Sequence, residues 1–102
     1  AEAMGAGTIA MGTAWSGNLD FMTATNSVLV PYQLVPASTD LWNVPAGADW
    51  AEPDVSAAAT EMQRLVSDQP WRDELRATAF RDAGQRHSFE VTAEWLGRAL
   101  EV

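Results

Sequence analysis

The chain has 102 residues, enough for one small domain, and a formal net charge of −8. A surface this acidic repels phosphate backbones and anionic lipid, which argues against nucleic acid or a polybasic membrane anchor as partners. There is no cysteine, so disulfides, thiolate metal sites and thiol nucleophiles are excluded; a reducing, cytoplasmic location fits.

In chain order, Ala1 to Met4 reads as the last turn of a helix, with Gly5 or Gly7 at its carboxyl end. Thr8 to Gly12 is a short apolar run bounded by glycines, the pattern of a buried parallel strand. Thr13 to Gly17 follows as a loop, and Asn18 suits the N-cap of a single helical turn, Leu19 to Met22. After polar turn material, Ser27 to Val30 makes a second short strand that Pro31 stops. Tyr32 to Glu52 contains Pro36, Pro45, Trp42 and Trp50 and shows no clean period. It is expected to be a long loop, pinned to the body by the two tryptophans.

The second half is helical. Pro53 and Asp54 open a helix to about Ser67, with an apolar stripe of Val55, Ala58, Ala59, Met62, Leu65 and Val66. Pro70 suits the first turn of the next helix, capped by Asp68 or Gln69. That helix carries Trp71, Leu75, Ala79 and Ala83 on one side and ends near Gly84. Ser88 caps a third helix whose apolar face is Val91, Trp95, Leu96, Ala99 and Leu100. The charges from Arg72 to Arg86 are expected on a solvated face, with Asp82 and Arg86 spaced to pair. The longest nearly apolar run, Val28 to Pro36, is about half a membrane span, so no transmembrane segment is expected.

Two or three short strands followed by three helices define an α/β fold. Two strands make no stable sheet alone, and the helices carry faces suited to covering one. The expectation is therefore the C-terminal part of a Rossmann-like, doubly wound parallel-sheet domain whose other strands lie outside these residues. In such sheets, ligands bind at the carboxyl ends of the strands. That singles out Ser16, Gly17 and Asn18 after the first strand, residues that also serve as turn and cap formers. Glu2 by itself reads as a solvated acid on a helix end. His87, the only histidine, reads as a solvated linker residue, and no carboxylate–histidine cluster has metal-ligand spacing. Trp15 suits either a sugar site or packing under the loop.

Glu2-Ala3-Met4, then Gly7, a short strand, Ser16-Gly17-Asn18-Leu19-Asp20 and Asn26-Ser27-Val28-Leu29-Val30 together resemble the donor-binding, C-terminal domain of group 1 (family 4 type) GT-B glycosyltransferases. That family typically runs Glu-Ala-Met-Ala-x-Gly-x-Pro-Val, a strand, Gly-Gly-x-Pro-Glu or Ser-Gly-Asn-x-Asp, then Asn-Gly-x-Leu-Val. Ser88-Phe89 resembles the Phe-Ser that opens its final helix. The likeness spans the whole chain and is sharpest from Glu2 to Val30. Departures are Ile9 where the family has Pro, Ser27 where it has Gly, and a longer segment from Tyr32 to Glu52.

The resemblance implies that residues 1–102 are a partial nucleotide-sugar-binding domain of a hexosyltransferase. Its parent would transfer a sugar from a nucleotide diphosphate sugar, with retention, to a glycan, lipid or protein acceptor in glycan biosynthesis. It would sit in the cytoplasm, peripheral to the membrane through other segments. Glu2 would match the second glutamate of a Glu-x-x-x-x-x-x-x-Glu pattern and accept hydrogen bonds from the ribose hydroxyls; Ser16, Gly17 and Asn18 would complete the nucleotide-sugar site. The first glutamate, the glycine-rich diphosphate loop and the acceptor domain would precede Ala1. No cofactor or metal and no catalytic residue within the chain is implied. The alternatives are a non-catalytic α/β nucleotide-binding or interaction module, and another GT-B enzyme such as a phosphorylase or epimerase.

Overall fold

A computed structural model describes residues 1–38 and 44–101. Trp42 lies outside the described residues. The fold is α/β, with four short strands in two separate two-stranded sheets among the described residues, one parallel and one antiparallel.

Helix α1 (Glu2–Gly5) is a single turn. Gly7 closes it in the left-handed conformation at φ +79°. The Gly7 N–H donates to the Met4 carbonyl at 3.0 Å and the Thr8 N–H to the Ala3 carbonyl at 2.9 Å. This reciprocal pair satisfies two helix-end carbonyls and needs a residue without a Cβ penalty at position 7. Strand β1 (Met11–Thr13) pairs in parallel with β2 (Val28–Val30), Gly12 opposite Leu29. β1 starts later than its apolar run because ladder contact with β2 begins only at the Ala10 carbonyl, which accepts from the Val28 N–H.

The segment read as a long loop is corrected at both ends. β3 (Tyr32–Pro36) and β4 (Asp49–Pro53) form an antiparallel hairpin, Val35 opposite Trp50 and Tyr32 opposite Pro53. Pro36 and Pro53 each end a strand, where a missing N–H costs the ladder least.

Three helices follow, each capped by a side chain. Asp54 accepts from the Ala57 N–H ahead of α2 (Val55–Ser67), and Asp68 from the Trp71 N–H ahead of α3 (Gln69–Arg86). Ser88 accepts from the Val91 N–H ahead of α4 (Phe89–Leu100). Each cap satisfies an N–H that the helix itself leaves unpaired. The Glu90 carboxyl is held below its ordinary pKa by its own backbone N–H and by the Ser88 hydroxyl. A lowered folded-state value means that this contribution to the first turn of α4 is present at neutral pH and lost as the pH falls through it.

The α2–α3 corner is stapled by arginine. Arg64 lies 3.8 Å over the Trp71 ring and 3.6 Å from the Asp68 carboxylate. Arg72 donates to the Leu65 carbonyl at 3.2 Å.

The core forms where α3 crosses the back of α1 and the β1–β2 pair. Leu75, Ala79 and Ala83, spaced one turn apart, are the buried residues of α3. Ala79 and Ala83 cluster with Met4 and Met22, flanked by Ala10, Phe21 and Leu29. Their small side chains bring α3 close to α1, and the two methionines fill the remaining space.

Behind this cluster sits a buried polar node. Asn26 is fully buried. Its Nδ2 donates to the Phe21 carbonyl at 3.1 Å and to Asp82 Oδ2 at 3.0 Å, and its Oδ1 accepts from the Thr23 N–H at 2.8 Å. Asp82 therefore reaches across to the turn before β2 and not along its own helix to Arg86. Arg76 stays exposed, as expected, and its Nε donates to the Gly7 carbonyl at 2.8 Å.

The helical stripes exist, but much of their apolar surface is uncovered. Val55 and Val66 of α2 are exposed, as are Trp95 and Leu100 of α4, at 64% and 79%. The molecule is a plate of 43 × 43 × 17 Å with a radius of gyration of 16.7 Å, against about 13 Å for a compact chain of this length.

Two outcomes follow. Purified alone, the 102-residue chain should be marginal, molten or self-associating, since two-stranded sheets lack independent stability. Sedimentation combined with thermal melts checks this; a sharp, concentration-independent melt of a monomer is the contrary result. Asn26→Ala should take their partner from Asp82 Oδ2, the Phe21 carbonyl and the Thr23 N–H, at a cost of about 2–3 kcal/mol. Amide-exchange protection in α3 should then fall by about 30-fold or more, and by less in Asp82→Asn, which keeps an acceptor.

Candidate functional site

The carboxyl end of β1 is shaped by four hydrogen bonds. The Ala14 N–H donates to the Val30 carbonyl at 2.8 Å, carrying the parallel pairing one residue past the strand. The Trp15 N–H turns back to the Thr13 carbonyl at 2.7 Å, a three-residue turn. Asn18 Nδ2 donates to the same Thr13 carbonyl at 2.8 Å and reaches Met22 Sδ at 3.5 Å. Between them runs a 3-10 turn, Ser16–Asp20, with Trp15 in the N-cap position and no side-chain cap.

One expectation changes here. Asn18 lies inside the turn and does not cap it; its amide points back at the strand, as a second donor to the Thr13 carbonyl. The left-handed residue is Ser16, at φ +69°, and not Gly17. A Cβ on Gly17 would meet nothing within 4 Å, whereas one on Gly12 would sit 3.2 Å from Met22 Cε and 3.3 Å from Asn18 Nδ2. Gly12 is thus the glycine that lets the turn pack on the strand.

Glu2 is exposed at the amino end of α1. Among the described residues its carboxylate has no ion pair. It borders a groove of about 320 Å³ with Phe80, Ala83, His87 and Ser88 among the other walls. His87 ends α3, its N–H donating to the Ala83 carbonyl, and its ring meets Phe21 edge-on at 6.1 Å. The histidine read as a linker residue is therefore exposed, as expected, but shares a groove with Glu2.

Ser16 lines a different cleft, of about 440 Å³, together with Thr13, Trp15, Asp49, Trp50 and Ala51. The two grooves have no wall residue in common, and neither Gly17 nor Asn18 lines either one. The four site residues expected from the sequence are therefore not gathered in one pocket. The second cleft was missed because half of it comes from β4, inside the segment read as loop. The sequence signal was an acid beside a tryptophan in Asp49-Trp50-Ala51.

No protein-family model, no curated protein and no solved structure matches the chain. Among the described residues no group of three His, Asp or Glu side chains could hold a metal ion, and no helix is long and apolar enough to cross a membrane.

The Ser16 conformation is testable. A β-branched residue in the left-handed region is strained by about 1–2 kcal/mol, and glycine is not. Ser16→Val should destabilise the turn by about that amount, read as faster amide exchange from Gly17 to Met22, while Ser16→Gly should leave exchange unchanged or slower. Equal behaviour of the two variants is the contrary result.

Proposed function

We propose that the chain is the donor-binding part of a retaining GT-B glycosyltransferase, holding the ribose of a nucleotide diphosphate sugar through Glu2. The observation that carries this reading is the Glu2 carboxylate, exposed at the amino end of α1 on the rim of a groove. It sits in the run Glu2-Ala3-Met4 that Gly7 closes ahead of a parallel strand. A vicinal diol offers two O–H donors, and a carboxylate offers two acceptor oxygens. Binding of this kind positions the donor; the chemical step in such enzymes rests on electrostatic stabilisation of the leaving diphosphate. All six basic residues of the chain are arginines between positions 64 and 98, and none borders the Glu2 groove. The diphosphate would therefore be neutralised by groups outside it.

A second reading, a non-catalytic nucleotide-binding module, is favoured by one observation: Glu2 and Ser16 border separate grooves, and the Asn18 amide is spent on the chain itself. Binding of a nucleoside diphosphate without any of its sugar conjugate favours that reading.

Glu2→Gln keeps the shape and removes the charge. Charge-assisted hydrogen bonds contribute about 1.5–3 kcal/mol each, so the dissociation constant for a ribonucleoside diphosphate sugar should rise about ten-fold or more. A 2′-deoxyribose donor should bind weakly to begin with and respond little to the substitution. Equilibrium titration of both donors checks this, with circular dichroism to confirm an unchanged fold. Equal affinity of wild type and Glu2→Gln for the ribose donor removes Glu2 from the site.

A further inference from the structure

The cleft at the carboxyl end of β1 is not used by the reading above, and its walls have a chemistry of their own. Trp15 and Trp50 both border it and are 38% and 39% exposed, so each is half held in place and half presented. Trp15 is fixed from behind by Tyr32, ring centroids 5.2 Å apart at 56°. Trp50 is fixed by its place in β4 opposite Val35. The polar groups are the hydroxyls of Thr13 and Ser16 and the carboxylate of Asp49. Asp49, Trp50 and Ala51 all border the cleft, although consecutive strand side chains alternate between faces. Among the described residues β4 pairs only with β3, so its other edge carries outward-facing main-chain N–H and C=O groups.

We propose that this cleft is a binding site for a neutral saccharide, with Trp15 and Trp50 as platforms for the pyranose ring and Asp49 as the acceptor for its hydroxyls. A pyranose presents an apolar C–H face and a rim of O–H groups. Indole faces cover the first, and carboxylate, hydroxyl and edge main-chain groups pair with the second. An anionic ligand is disfavoured, because among the described residues Asp49 is the only ionisable wall and no arginine borders the cleft. The volume of about 440 Å³ falls within the usual range for small-molecule sites. An open cleft with few charged groups fits weak, millimolar affinity. The inference does not rest on the nucleotide reading of Glu2, and its readouts involve neither Glu2 nor His87.

The test is a titration of the ¹⁵N-labelled protein with maltose, cellobiose, mannobiose and lactose, under conditions where a dispersed amide spectrum shows the hairpin folded, following the indole N–H resonances. With at least one sugar, the Trp15 and Trp50 signals should shift together with a Kd of about 1–10 mM, while those of Trp71 and Trp95 stay in place. Asp49→Asn should weaken binding about ten-fold. Trp15→Ala should abolish the Trp50 shift, and Trp50→Phe, which keeps an aromatic residue in the strand, should weaken binding with the hairpin intact. The proposal is overturned if no sugar moves both indoles, if Asp49→Asn and Trp15→Ala leave the titration unchanged, or if uridine monophosphate moves the same two indoles more than any sugar does. Loss of nucleotide binding in Glu2→Gln with the saccharide shifts retained, or the reverse, separates the two sites.

Discussion

The fold depends on a single buried amide. Asn26 joins the turn after the 3-10 segment to α3 by spending both amide hydrogens and its carbonyl oxygen on Phe21, Asp82 and Thr23. Everything in the first half hangs from that point. The turn sets where β2 begins, β2 sets the register of β1, and β1 carries the 3-10 turn at its end. Burying an amide is costly unless every group is paired, and among the described residues no buried side-chain polar atom lacks a partner. A satisfied polar node also specifies a unique arrangement in a way that an apolar contact of similar area does not. That matters beside a cluster of two methionines and two alanines, where the methionines pack adaptably and define geometry weakly.

The remaining architecture is held at corners. Arg76 ties α3 to the Gly7 turn, Arg64 and Arg72 tie α2 to α3, and an aspartate or serine caps each long helix. These contacts fix angles between elements without enclosing much apolar surface. The result is a plate 17 Å thick, with α4 resting closely on no other element among the described residues. The hydrophobic effect therefore contributes less here than the composition alone suggests.

The same geometry separates the two candidate sites. α1 is a single turn, so Glu2 faces the end of α3 and His87. The β1 turn leans the other way, toward the hairpin, because Trp15 packs against Tyr32. A carboxylate groove and an aromatic cleft thus open on different neighbours. Their chemistry differs accordingly: one offers a carboxylate with an imidazole and a hydroxyl beside it, the other two indole faces with an acid between strands.

Helix identity was legible in the sequence because caps and stops act over a few residues. Asp54, Asp68, Pro70, Ser88 and Gly7 each signal through their own backbone chemistry, and each stands where that chemistry places it. The buried stripe Leu75, Ala79 and Ala83 was legible for the same reason, as a period of one face. Pairing between distant segments was not. The β3–β4 hairpin joins Tyr32 to Pro53, and nothing local marks two such strands as partners when prolines break their alternation. The Asn26–Asp82 bond spans 56 positions, so Asp82 read as a helix-surface acid. Whether Glu2 and Ser16 share a pocket was likewise decided by tertiary packing alone, because the direction a turn faces depends on what it packs against.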